Sequence, residues 1–574
     1  MVKNKNNKKI QSLLQLALFV GIVILLNILA NARIGGSGWY TFLDMTEEKR
    51  FTLTKGTKKL LTDLDEVVYV SVLLEGEFPA GFKRLQSATR DMLDDFRTQS
   101  GYMEYGFQDP NEGTVEQINE FRTNLSKDNI NPINLRVKSK EGTSEKQIYP
   151  YAIFYYKGRN LAVNLLENEV PGVPPEVILN NSIGLLEYKF ANAIQKLQYP
   201  TRPVVVFSSG HGELAPYETA DLEKTLRQFY DTGRIDLDSV PTLKQDASVF
   251  VIAKPTQAFS EKDKFKIDQY IMNGGKVLWL LDKVRVDLDS LQMRKEYYPS
   301  EYDLGLDDLL FRYGARINPV LVLDMQCTRI PLATGVVGNK PQLDYFRYPY
   351  HIVATPRSNH PIVKSIGPVN LLYPNNIDTI QTKTPVNKTV LLTSSPNSRF
   401  QRIPIGMDFE FLRYDLDASK FDKGPQTTAL LLEGIFPSLY ENRVEGSMIN
   451  TLEELGTPFQ TKSASSRMIV VADGDIAKNR FNAHTQAVSP LGFNEFEKFQ
   501  FANKEFLINT IEYLMDEKGV IEARGKEVKL RLLDTVKAET EEVKWQLINI
   551  VLPLGFLILF GFFYNFLRKR KYAK

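Results

Sequence analysis

Apolar and polar positions divide the chain into three regimes. At the ends, residues 10–30 and 547–567 contain no charged side chain. A helix rises ~1.5 Å per residue, so each run reaches ~30 Å, the hydrocarbon thickness of a bilayer. The first run has only Gln11, Ser12, Gln15 and Asn27 as polar side chains. The second carries Pro553 and Gly555, which membrane helices tolerate. Both are predicted as transmembrane helices. Between them the chain alternates between strand and helix patterns. The run EVVYVSVLL (66–74) predicts a strand, and Phe82, Leu85, Thr89, Met92, Leu93 and Phe96 fall at helical spacing. A short strand over 103–108 follows, then a helix marked by Val115, Ile118, Phe121 and Leu125. Strands 148–156 and 160–165 flank a Lys157-Gly158 turn, and a helix covers 185–197. The order β-α-β-α-β-β-α predicts a thioredoxin-like domain over 40–198.

From residue 199 the strands become continuous apolar runs of the parallel-sheet kind: PVVVFS (203–208), VFVIA (249–253), KVLWLL (276–281) and RMIVVA (467–472). Helical patterns stand between them, at Leu222, Leu226 and Phe229 and at Phe265, Ile267, Tyr270 and Ile271; another covers 501–514. Strands alternating with helices predict an α/β, doubly wound parallel sheet over 199–283 and 466–520. Its arrangement is of the flavodoxin or class I glutamine-amidotransferase kind. Between them, 284–465 reads as a β-rich insertion, with strands at 320–324 and 388–393. Residues 526–545 form a charged, helix-prone juxtamembrane stretch, either a solvated connector or a partner-binding face through Leu530, Leu533 and Val536.

Charge orients the two spans. Lys3, Lys5, Lys8 and Lys9, in the tail 1–9, precede the first. Arg568, Lys569, Arg570, Lys571 and Lys574, in the tail 568–574, follow the second. The positive-inside rule places both termini in the cytoplasm and the intervening body on the far side. The alternative for the first span is a signal peptide cleaved after Ala30-Asn31-Ala32, although such apolar regions run only about 7–15 residues. Over 574 residues, 71 Lys and Arg balance 69 Asp and Glu, which removes a nucleic-acid field as a main theme. A single cysteine, Cys327, excludes an intrachain disulfide and any Cys-paired zinc site. It also excludes the redox chemistry of a thioredoxin fold, since there is no Cys-x-x-Cys.

Candidate chemistry gathers after the parallel strands. His211, Glu213, Asp282, Asp473 and Asp475 all follow one of them, where open α/β sheets bind ligands. A histidine with several carboxylates there could hold a divalent ion or a polar ligand. Such residues more often cap helices and satisfy loop amides. Ser209 with His211 would form a hydrolytic dyad, but two residues on one turn rarely align for proton transfer. The P-loop, Gly-x-Ser-x-Gly and His-Glu-x-x-His motifs are absent. The aromatic run DYFRYPYH (344–351) is either a carbohydrate or partner patch or packed edge-strand residues.

Four stretches carry a resemblance: FTLTKGTKKLLTDL (51–64), VVVFSSGHGE (204–213), DQYIMNGGKVLWLLD (268–282) and KWQLINIVLPLGFLILFGFFYNFLRKRK (544–571). The chain resembles, over nearly its whole length, the GldG family of gliding-motility ABC-transporter auxiliary proteins. The resemblance implies an inner-membrane subunit with a periplasmic body, working with a permease (GldF) and a cytoplasmic ATPase (GldA) in gliding motility and its linked protein secretion. It implies no catalytic residues and no cofactor. The alternative is a tethered extracytoplasmic binding protein for a sugar, peptide or envelope polymer.

Overall fold

A computed structural model describes residues 14–25, 33–34, 37–38, 52–128, 130–139, 142–167, 173–244, 246–286, 290–291, 296–338, 340–356, 358–482, 485–526 and 540–572. The chain falls into two units, Met1–Glu527 and Val528–Lys574.

In the first unit, helix α1 (Lys55–Thr62) starts at Thr54, whose hydroxyl accepts the Thr57 N–H. Strand β1 (Val68–Val72) buries alternate residues, Val68, Val70 and Val72. Helix α2 (Ala80–Gln99) buries Phe82, Leu85, Thr89, Leu93 and Phe96, the stripe expected from the spacing. Strand β2 (Met103–Phe107) and helix α3 (Val115–Lys127) follow, the helix held by a Thr114–Gln117 capping box. Strands β3 (Tyr151–Tyr156) and β4 (Arg159–Asn164) turn at Lys157-Gly158, both with positive φ, as such a hairpin requires. Helices α4 (Pro175–Gly184) and α5 (Leu186–Gln198) close this region. The sheet order is β2-β1-β3-β4, with β1 parallel to β2 and antiparallel to β3. Phe96, Phe154 and Phe190 meet at its centre, at centroid distances of 6.1 and 5.3 Å.

The larger sheet is built from β5 (Val204–Ser209), β6 (Asp231–Asp236), β7 (Ala247–Ala253), β8 (Val277–Leu280), β9 (Val386–Thr393), β10 (Thr427–Pro437) and β11 (Lys462–Val471). Their order is β6-β5-β7-β8-β11-β10-β9. The first five are parallel; β5, β7, β8 and β11 are the four predicted apolar runs, whereas the edge strand β6, DTGRID, is polar and is not among them. The sheet as a whole is mixed, because β10 and β9 extend it antiparallel. Both come from 284–465, the stretch expected to form an insertion. Leu430, Leu431 and Leu432 of β10 and Leu392 of β9 are fully buried, so the cores on both faces of the sheet extend onto these strands. Other strands of that stretch pair among themselves, Val320–Asp324 with Ser398–Arg402 and Cys327–Val337 with Lys340–Ala354.

Alternation sends side chains to both faces. Val205, Phe207, Val249, Val251, Ile469 and Val471 pack with helices α6 (Ala220–Leu226) and α8 (Asn503–Met515). Val206, Phe250, Ile252, Trp279, Met468 and Val470 pack with helix α7 (Glu261–Met272). Trp279 is fully buried and its indole N–H has no hydrogen-bond partner. The smaller sheet's helix α5 is tied to α8 by buried polar contacts. Lys196 Nζ lies 2.6 Å from Glu512 Oε1, the Tyr188 hydroxyl donates to Glu512, and Gln195 Nε2 donates to Asp516 Oδ1 at 3.2 Å.

The second unit contains helix α9 (Glu542–Tyr572). Among the described residues it is the one helix long and apolar enough to cross a bilayer. The described part of 10–30 forms a shorter apolar helix, Leu14–Leu25, and the rest of that expected span lies outside the described residues. Most of the juxtamembrane stretch, 527–539, lies outside them as well.

Candidate functional site

The carboxyl edge of the five parallel strands carries two separate polar groups. In the first, Lys254 follows β7, Asp282 follows β8 by one residue, and Asp473 and Asp475 follow β11. Lys254 Nζ lies 2.5 Å from Asp475 Oδ2 and 3.4 Å from Asp282 Oδ2. Asp282 Oδ1 accepts the Gly474 N–H at 2.6 Å. Asp473 is fully buried and uses both oxygens, accepting the Leu372 N–H at 2.7 Å and the Asp475 N–H at 2.8 Å. Residues from 284–465 cover this group. The Asn375 N–H donates to the Ala472 carbonyl at 2.8 Å, and Asn375 Oδ1 accepts the Lys283 N–H at 2.6 Å. Gly474 permits the approach, since a Cβ there would stand 2.7 Å from Lys254 Cβ. Lys254 itself holds φ at +53°, a conformation side chains other than glycine adopt at a cost.

One ammonium, Lys254, faces three carboxylates in this group. Burial pushes Lys254 down, but Asp475 and Asp282 outweigh it and hold the ammonium above its ordinary range. Burial raises Asp282 despite Lys254. Burial, Asp282 and Asp475 together raise Asp473 well above the usual carboxylate range. Such a cluster welds three strand ends to the chain that covers them. Among the described residues no group of three or more His, Cys, Asp and Glu is placed to hold a metal ion.

The second group lies on the turn after β5. Gly210 and Gly212 have φ of +105° and +72°, and a Cβ on Gly212 would stand 2.1 Å from Thr256 Oγ1. This tight turn aims the His211 ring onto Phe259, with centroids 3.9 Å apart and planes within 8°. His211 Nε2 lies 3.4 Å from Asp263 Oδ2, and Nδ1 lies 3.7 Å from Glu213 Oε1. The other Glu213 oxygen accepts the His211 N–H at 2.7 Å. Burial lowers the imidazole's proton affinity, and Glu213 and Asp263 more than restore it, so His211 titrates above its usual value. Ser208 Oγ, His211 Nδ1 and Glu213 Oε1 are buried without a hydrogen-bond partner. The ring nitrogens face Glu213 and Asp263, an arrangement that does not make Ser209 a nucleophile activated by His211.

Of the five residues expected at this edge, Asp282, Asp473 and Asp475 come together, and His211 and Glu213 form the other group. No side-chain hydrogen bond or ion pair joins the two. Lys254, Asp263 and Phe259 were missed. Lys254 directly follows VFVIA, as Asp282 follows KVLWLL. Asp263 stands three residues after Ser260, the spacing of a helix start, and the Ser260 hydroxyl accepts its N–H. The aromatic run 344–351 lies in the strand Lys340–Ala354. Tyr348 and Tyr350 are buried against Tyr373 and Phe411, and Tyr345 is exposed. His351 is buried in the same strand, and burial pushes it down to about 3.

Comparison with known proteins adds the wider setting. The family model for an ABC-type uncharacterized transport system matches residues 202–510, more than half of the chain and most of the larger sheet. A domain of unknown function (DUF7088) matches residues 47–155, most of the smaller one. An uncharacterized protein of Borreliella burgdorferi is 21% identical over 545 residues, covering 92% of this chain and 93% of that protein. A solved structure of the mmIFT52 N-terminal domain aligns with 54% of this chain and 97% of its own, at 10% identity and a TM-score of 0.29, below the level of a shared overall fold.

Proposed function

The chain belongs to the ABC-type uncharacterized transport system family, and from that premise we propose that it is a non-catalytic, membrane-anchored accessory subunit whose outer body works with a permease and a cytoplasmic ATPase. The observation that carries this reading is the state of the Asp282, Asp473 and Asp475 carboxylates. They sit where an open α/β sheet would bind a ligand, yet they bind Gly474, Leu372, Asp475 and Lys254 of the chain itself. The edge is built as a joint. Helix α9 supplies an anchor, and the apolar run 10–30 supplies the second, with both termini cytoplasmic and the body outside the inner membrane.

Within the same proposal, the region 40–198 is thioredoxin-like, since a βαβ unit is followed by an antiparallel pair and a helix. The larger sheet is flavodoxin-like in its parallel strand order. The partners are of the GldF permease and GldA ATPase kind, and the setting is gliding motility. A detergent co-purification tests it. The chain tagged at its C-terminus is co-expressed with candidate permease and ATPase subunits, and the complex is weighed. A stable three-component complex is expected; a chain that purifies alone overturns the proposal.

A second function, a tethered binding protein for a sugar, peptide or envelope polymer, is favoured by the unpartnered Ser208, His211 and Glu213 atoms. A thermal-shift screen against such ligands distinguishes it.

A further inference from the structure

The two ends of the described body meet at one buried carboxylate. Glu187, in the first turn of α5, is 1% exposed. Its Oε1 accepts the Thr54 N–H at 2.7 Å, at the start of α1. Its Oε2 takes the ammonium of Lys526. The same ammonium donates to the Thr52 carbonyl at 2.5 Å. Thr52 stands just before α1, and Lys526 just after the 3-10 helix Val520–Gly525. Glu187 thus joins the strap by which the chain enters the body to the strap by which it leaves.

The straps also touch directly. A Cβ on Gly56 would stand 2.4 Å from the Gly519 carbonyl oxygen, so the two backbones pass with no room for a side chain. Gly519 holds φ at +75° and opens the short 3-10 helix Val520–Gly525. Asp516 shapes that turn by accepting the N–H groups of Lys518, Gly519 and Ile521. Val520 is buried in the same core as Leu60 and Leu61 of α1. Two residues before Lys526, the buried Arg524 pairs with Glu505 at 3.1 Å and stacks over Tyr188 at 4.9 Å. Tyr188 is the neighbour of Glu187 and donates to Glu512 of α8. The exit strap is therefore continuous with the seam between the two sheets.

We infer that Glu187 is a latch: it holds the entry strap and the exit strap as one double stem, and it delivers any displacement of one stem to the other and to the α5–α8 seam. A buried carboxylate that receives one cation and one amide across such sequence distances is costly to leave unpaired, so loss of one strap weakens the hold on the other. The mechanical role rests on the proposal above that each stem leads to a membrane span.

The test uses the full chain in detergent and reads hydrogen exchange at the amides of the two straps. Lys526→Met removes the exit-side cation. The expected result is exchange at least about tenfold faster at Thr57 and Lys58 in the entry strap, as well as at Lys526, with Val205 to Phe207 of the larger sheet unchanged. Glu187→Gln keeps an acceptor for Thr54 and loses the ammonium, so it should loosen the exit strap more than the entry strap. An entry strap indifferent to Lys526→Met overturns the latch. Should Lys526→Met unfold the whole chain, Lys526→Gln decides, because it keeps a donor for the Thr52 carbonyl and removes the charge that Glu187 holds. Faster exchange in both straps supports the latch, and faster exchange in the exit strap alone overturns it. Failure of the wild-type chain to co-purify with permease and ATPase sinks the transporter proposal while leaving cross-strap coupling intact. Intact co-purification without that coupling sinks the latch alone.

Discussion

The two polar groups at the carboxyl edge of the larger sheet stand on equivalent turns and are built to opposite rules. Around Asp473 the buried carboxylates find donors: one lysine serves Asp282 and Asp475, and both Asp473 oxygens find amides. Around His211, the buried Ser208 Oγ, His211 Nδ1 and Glu213 Oε1 have no hydrogen-bond partner, and the last two face each other only at 3.7 Å. The cover explains the difference. Residues 372–375 bring main-chain N–H groups onto the first group. The second is closed by the face of Phe259, which offers no hydrogen bond. A matched group holds elements together. An unmatched one stores a cost that a ligand, a water or a rearrangement could relieve.

The largest effect expected from breaking this contrast is at Asp473. Asp473→Ala leaves the Leu372 and Asp475 amides buried without an acceptor and should cost about 3–5 kcal/mol. Denaturant titration checks it through the midpoint. Lys254→Met comes next, at about 2–4 kcal/mol, because Asp282 and Asp475 lose their shared cation; the same titration reads it. A cost at either position no greater than that of an exposed substitution would erase the contrast.

Two histidines, His211 and His351 of the strand Lys340–Ala354, carry opposite pH dependences. His351 is depressed to about 3 by burial, whereas the unfolded chain protonates near 6.5. The unfolded state therefore takes up the proton first, and His351 drains stability as pH falls below about 6.5. His351→Phe should gain on the wild type as pH drops from 7 to 5. His211 is raised by Glu213 and Asp263, so its contribution is fully present below about 6.5 and fades as pH rises through the folded value. His211→Phe, which keeps the stack on Phe259, should lose more at pH 5.5 than at pH 8. Melting curves of both variants across that range should diverge in opposite directions. The smallest effect is expected for His211→Phe at pH 8, within about 1 kcal/mol, since the substitution also removes an unpartnered nitrogen. A cost there equal to that of Asp473→Ala would make the second group as structural as the first.

Four of the five parallel strands were legible because burial on both faces writes them as unbroken apolar runs such as VFVIA; the edge strand β6, DTGRID, is polar and was not. Helix α2 was legible from its stripe. The strand TTALLLEGIFP (427–437) and its place in the sheet were not. An apolar run declares its burial but not its partner, and β10 reaches β11 only through contacts made across the intervening chain. The site was legible in part for the same reason. Position after a strand put Asp282, Asp473 and Asp475 on one edge. Nothing local told that Leu372 and Asn375 would cover them, or that the turn glycines would rotate His211 away toward Asp263.

Trp279 gives the larger sheet a built-in optical reporter. The chain has three tryptophans, Trp39, Trp279 and Trp545; Trp279 is buried at the centre of that sheet and Trp545 is half exposed on α9. An indole in an apolar, water-free site emits at shorter wavelength than one in water. With Trp39 and Trp545 replaced by phenylalanine, a red shift in emission would follow the opening of the sheet itself. Loosening of the stems that left the sheet intact would be silent in the same spectrum.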